Sequence, residues 1–280
     1  MRKFRPFVRP FVRPFVRPFG GALRLAVSSD AVALIETRRW RRQATLLADL
    51  PLDGSMALPA ALLAASAALF DGAGRTGWPL TVVLADDLAR LWQVTPPAGC
   101  SRLADLEAVA ALRFQQLHGE PAAAWQISAD WQLERPFVSA AVPLSLLAAV
   151  RQASVTHGLR LTEVAPQFVV LWNRWHARLT AGDWFGVVHD GVLTLAVCDS
   201  GGVAALRALA IIAHGDATWL REQLEREALR LNRPAPARLL LCGDVPASWR
   251  GADITVLSDV AVAATDWSAA ARLAWSGCGA

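Results

Sequence analysis

Few residues of this chain are spaced for chemistry. Asp86-Asp87 is its one adjacent pair of acids, the pairing acid–base chemistry would use, but the surrounding residues read as a turn. The five histidines, His118, His157, His176, His189 and His214, are scattered, with neither H-x-x-x-H nor H-E-x-x-H spacing to bring two imidazoles onto one metal. Ser200-Gly201-Gly202 is a turn signal, because a nucleophile elbow needs glycine on both sides of its serine. His157, beside Gly158, reads as a helix-end residue. The cysteines Cys100, Cys198, Cys242 and Cys278 form no C-x-x-C pair, and two of them fall in predicted strands as small core hydrophobes. No catalytic residue, metal or cofactor is expected from these residue types.

The elements that would position such residues follow a pattern that occurs twice. Residues 22–28, 31–37 and 43–50 read as three strands, followed by an apolar helix (58–70) and a strand (79–85). Residues 184–189, 192–198 and 203–212 again give three strands, then a helix (217–231) and a strand (238–242). Asp190-Gly191 is a strong two-residue hairpin signal in the second copy. Between the copies, the spacing predicts a helix (101–118), strands at 125–133 and 137–142, a helix closed by His157-Gly158, a strand (159–164) and a helix (167–179). The chain thus divides into a repeat tail (1–21), a first lobe (22–100), an α+β insert (101–179) and a second lobe (180–280).

Composition bounds the partners. The net charge of +4 comes from the tail, where Arg2, Lys3, Arg5, Arg9, Arg13 and Arg17 meet no acid. The remainder carries 22 basic against 24 acidic residues, so by charge the body is not a nucleic-acid binder. The tail repeats Arg-Pro-Phe-Val with period four, and proline at every fourth residue forbids a helix. Two readings fit it: an adhesive arm for acidic lipid or RNA, or a repeat expansion or mis-assigned start ahead of the domain. The longest apolar run, residues 57–70, is too short to span a bilayer, and the N-terminus lacks a secretory apolar region, which favours a cytoplasmic location.

The duplicated order of elements, with its inserted unit, resembles the ribonuclease-H-like lobes of actin-like proteins. Within that superfamily it is similar to the PilM family of type IV pilus assembly proteins and to the cytoplasmic domain of type II secretion GspL proteins. The resemblance covers about residues 22–276. Its carriers are the run from Pro79 through Leu84 to Thr95-Pro96-Pro97, the unit from Gly158 to Val164, and the segment from Arg226 to Arg230 ahead of Leu239–Gly243. It implies an α/β fold of two like lobes around a nucleotide cleft. It also implies a non-catalytic, cytoplasmic scaffold that sits beside the inner membrane by docking the cytoplasmic segment of a single-span membrane protein.

The departures from that pattern decide the nucleotide question. Where the resemblance implies a metal-site Asp, a phosphate-turn Gly and a Lys, this chain has Ala26, Ser28 and Ala33. In the second phosphate turn Thr194 is kept, but Asp190 stands where a glycine is implied, and the adenosine-side double glycine is reduced to Gly243-Asp244. Hydrated magnesium needs the carboxylate, and backbone amides approach phosphate only in a turn free of side chains. A pseudo-ATPase with no cofactor is therefore expected, against the alternative of an actin-like ATP switch with an altered pocket. For the partner, the aromatic and arginine anchors favoured at interfaces point to Arg39, Trp40 and Arg41 at a hairpin tip, and to Trp172, Trp175 and Trp184 at the join of insert and second lobe, as exposed candidates, with burial in the core an equal alternative for most of these tryptophans.

Overall fold

The protein is described from a computed structural model, which covers residues 21–38, 43–71, 75–200, 202–212, 215–251, 254–257 and 266–278. The anchors Arg39, Trp40 and Arg41 and the repeat tail lie outside the described residues.

Strands β1 (Gly21–Val27), β2 (Ala31–Arg38) and β3 (Gln43–Pro51) form an antiparallel meander, followed by helix α1 (Leu58–Leu69) and strand β4 (Pro79–Leu84). After β5 (Arg90–Val94), α2 (Leu103–His118), β6 (Trp125–Ala129), β7 (Phe137–Pro143) and α3 (Leu144–Thr156), strand β8 (Arg160–Pro166) completes a first sheet of order β3-β2-β1-β4-β8. Helix α4 (Gln167–Trp175) leads to β9 (Trp184–His189), β10 (Val192–Asp199), β11 (Gly202–Ala210), α5 (Ala217–Arg230), β12 (Leu239–Gly243) and β13 (Ile254–Val256), whose sheet has the order β11-β10-β9-β12-β13. Helix α6 (Ala269–Trp275) follows.

The two sheets share one topology. In each, the first three strands are antiparallel, and the fourth pairs parallel with the first and with an outer fifth. Even the irregularity repeats: a register shift falls between the second and third strands of both, at Leu34/Ile35 and at Val197/Cys198.

The insert differs from the sequence reading. β5, expected in the first lobe, hydrogen-bonds to β7 in a separate three-stranded sheet of order β5-β7-β6, covered by Phe114 and Leu106 of α2. β8 and α3, expected in the insert, belong with the first sheet: β8 pairs with β4 from Pro79↔Arg160 to Leu84↔Pro166, and Leu147 and Val150 of α3 share the core of α1. A parallel neighbour must be reached by a crossover, and here the crossover holds the whole small sheet, so adjacency in sequence misleads.

Alternation in the central strands builds two cores per lobe. Leu23, Leu25 and Val27 of β1 face α1 and α3, while Ala26 faces the other way, with Ala33, Ile35 and Val83, toward α6. In the second sheet Trp184, Val188, Leu193 and Leu195 face Leu220 and Leu224 of α5. Phe185, Val187, Ala196 and Cys198 face Phe168, Leu171 and Trp172 of α4. The helix that follows each sheet therefore covers the inner face of the other, and this exchange ties the lobes together.

Candidate functional site

The site is built where corresponding ends of the two sheets meet. The Ala85 amide donates to the Val27 carbonyl (2.9 Å), which sets the 3-10 turn Asp86–Leu88 beside the end of β1. In the second lobe the Asp244 amide donates to the Val188 carbonyl (2.8 Å), which sets Asp244 beside the end of β9. Glycine is required just before it: Gly243 has φ +89°, and a Cβ there would lie 2.1 Å from the Val188 carbonyl oxygen.

Asp86 is buried between the lobes. Its Oδ1 accepts from the Phe168 amide at the start of α4 (2.8 Å), and the Thr194 hydroxyl of β10 and His189 of β9 face the carboxyl. Burial pushes its pKa up to about 6, against the opposing pull of the Phe168 amide, Thr194 and His189. Burial and Asp190 across the cleft also raise Asp87, with His189 opposing. His189 Nδ1 donates to Asp244 Oδ2 (3.2 Å), and Asp244 Oδ1 accepts from Nε of Arg272 on α6. Burial pushes the Asp244 carboxyl up, but the hydrogen bonds and charges of His189 and Arg272 outweigh it and hold Asp244 below the usual carboxylate range. Asp86 Oδ2, Thr194 Oγ1 and His189 Nε2 are buried and have no close hydrogen-bond partner. Among the described residues, no group of three or more His, Cys, Asp or Glu is placed to hold a metal ion.

A cavity of about 400 Å³ opens beside this cluster, between α4, the loop after β12 and α6. Gln167, Asp244, Arg250, Arg272 and Trp175 line it. The Gln167 amide donates to Ser276 Oγ (3.1 Å) and leaves its buried carbonyl oxygen without a partner.

The positions singled out from the sequence fall as follows. Ala26 and Ala33 are opposite one another in the β1–β2 register and are fully buried against α6. Ser28 closes its own turn: its Oγ donates to Asp30 Oδ1 (2.7 Å) and accepts from the Ala31 amide (3.1 Å). Asp190 sits exposed at φ +41° in the expected hairpin turn with Gly191. Of the two roles open to Trp172, Trp175 and Trp184, exposed anchor or core residue, burial favours the core. Trp172 is 1% exposed and lies between Phe168 and Phe185, and Trp184, 2% exposed, lies in the core under α5. Trp175, 8% exposed, is also core, with Arg174 and Arg178 stacked over its ring. A long amphipathic aromatic buries most of its surface whenever a helix is clamped between sheets. The joining of Asp86, His189, Asp244 and Arg272 was not visible in the sequence, where each is isolated in a different element.

Neither a protein-family model nor a curated protein matches this chain. Solved structures do. The PilM component of a PilM–PilN type IV pilus biogenesis complex aligns at a TM-score of 0.63 and 17% identity, over 94% of this chain and 100% of that one. A Bacteroides thetaiotaomicron protein of actin-like ATPase fold and unknown function aligns at 0.57 and 11%, over 88% and 94%. The cytoplasmic domain of EpsL, an inner-membrane component of the Vibrio cholerae type II secretion system, aligns at 0.52 and 13%, over 85% and 86%. The chain has the duplicated, two-lobed actin-like ATPase fold in the form seen in PilM and cytoplasmic EpsL.

Proposed function

We propose that this protein is a non-catalytic scaffold of a type IV pilus-like or type II secretion-like assembly machine. It docks the cytoplasmic segment of a single-span inner-membrane protein and is held at the membrane by that partner. The likeness to a PilM in complex with PilN, and to the cytoplasmic domain of a secretion-system membrane component, supports the assembly reading. Among the described residues, no helix is long and apolar enough to cross a membrane, so attachment through a partner fits.

The observation that supports the non-catalytic part is the surroundings of Ala26, Ser28, Ala33 and Asp190, the positions where the resemblance implies phosphate and magnesium contacts. Ala26 and Ala33 put methyl groups against α6, Ser28 satisfies its own turn, and Asp87 faces Asp190 across the lobes. Two facing carboxylates repel a polyphosphate, and nothing at Ala26 or Ala33 offers magnesium an oxygen. The cavity beside Gly243 favours a second reading, a nucleotide switch with an altered pocket, since its volume suits a small ligand.

With Trp172 and Trp184 in the core, the anchor we propose is Arg39, Trp40 and Arg41, which lie outside the described residues, with Trp175 a residue lining the cavity. Capture from solubilised membranes with the full chain tests this reading. The wild-type protein should retain one single-span partner, and Trp40→Ala should lose it while keeping its melting temperature. Retention of no single-span protein by wild type would overturn the docking role.

A further inference from the structure

The polar groups at the lobe junction run from one lobe to the other and back, through hydrogen bonds and, between Asp86 and His189, through facing groups. Asp86 leaves the end of β4 in the first sheet and accepts the first free amide of α4, the helix that covers the second sheet. It faces Thr194 and His189 of the second sheet. His189 passes to Asp244 at the end of β12, and Asp244 to Arg272 of α6, the helix that covers the first sheet. Arg272 is fixed in turn by the Trp267 carbonyl, to which it donates. The chain of contacts begins and ends on the first lobe and passes through the second.

We propose that this chain of groups is a latch that holds the two lobes in one relative orientation without any bound ligand, and that a proton on Asp86 closes it. A neutral carboxyl suits the place. It keeps an acceptor for the Phe168 amide and leaves no charge on the buried Oδ2, which has no close hydrogen-bond partner. An ionised Asp86 can accept from the Phe168 amide and the Thr194 hydroxyl, but it stands buried, away from water and beside the acid Asp87. Arg272 at the junction is already committed to Asp244, and His189 Nδ1 points to the same carboxylate.

Opening hydrates Asp86 and returns it to an ordinary carboxyl, so the closed state binds the proton more tightly than the open one. The latch is therefore tight at acidic pH and loosens as pH rises toward and through about 6. The inference needs neither a partner nor a nucleotide, so its failure would leave the docking role untouched.

Amide hydrogen exchange of the full chain tests it. After correction for the intrinsic exchange rate, protection of the Phe168 amide should fall about tenfold between about pH 5 and pH 7.5. The Val82 amide, in the middle of the first sheet, serves as reference for global unfolding. In Asp86→Asn, whose amide mimics the protonated acid, the Phe168 profile should be flat. Arg272→Gln, at the far end of the chain, should lower Phe168 protection more than Val82 protection. A flat wild-type profile, a slope that persists in Asp86→Asn, or an Arg272→Gln effect equal at both amides would each overturn the latch. If either variant fails to fold, the wild-type profile decides alone.

Discussion

At Ala26 and Ala33 the side chain is a single methyl, and α6 rests on both. A carboxylate placed at Ala26 would have to enter that helix contact, where the nearby guanidinium of Arg24 already donates to the Ala274 and Ser276 carbonyls. We expect Ala26→Asp to cost about 3 kcal/mol or more, the scale for an unpaired buried charge, and not to create magnesium binding. Urea unfolding measures the first and calorimetry the second. The two junction acids act in opposite directions with pH. Asp86 has a raised pKa, so its proton stabilises the fold at low pH, and that stability is lost as pH rises from the usual carboxyl range through about 6. The loss amounts to about 3 kcal/mol at neutral pH on the linkage scale. Asp244 is held low, so its contribution is present above the usual range and is lost as pH falls through its lowered value. Stability should therefore decline between about pH 4 and pH 6, and Asp86→Asn should remove that decline, as read by denaturant midpoints at a series of pH values.

At the scale of elements, the exchanged helices explain what could be read in advance and what could not. The strand–strand–strand–helix–strand order was legible because alternation and the Asp190-Gly191 turn are local signals, and both copies formed as expected. The membership of β5 and β8 was not, because β8 finds β4 across roughly eighty residues while local patterning records only that each is a strand. The same limit hid the site. Asp86 read as a turn acid, His189 as an isolated histidine and Asp244 as a missing glycine, and Arg272 carried no signal at all; tertiary structure alone joins them. The role of the tryptophans stayed open for another reason: residue type alone does not tell a core aromatic from an exposed one. The exchange itself gives a prediction. Ending the chain before residue 266 removes α6, uncovers Ala26, Ala33, Ile35 and Val83, and should strip hydrogen-exchange protection from β1 and β2 more than from β9 and β10. Equal loss in both sheets would mean that α6 is not the cover of the first.

The described residues form two copies of one sheet, each closed by the helix of the other, with a small three-stranded unit that joins the first lobe's core through Val142 and packs against β11 of the second sheet, where the Gln93 amide donates to the Val203 carbonyl (2.9 Å). The tail is separate from this body in composition, so removing residues 1–19 should leave the melting temperature unchanged, and a drop of several degrees would show that it packs on the body. An actin-like fold has a cleft between its lobes; here the charge of Asp190 helps to raise the pKa of Asp87, and Ala26 and Ala33 are buried under α6. The account as a whole stands on that cleft working without nucleotide. Isothermal titration of the full chain with magnesium and ATP measures this most directly: the account predicts no saturable heat at physiological nucleotide concentration, and a saturable, sub-millimolar isotherm would contradict it.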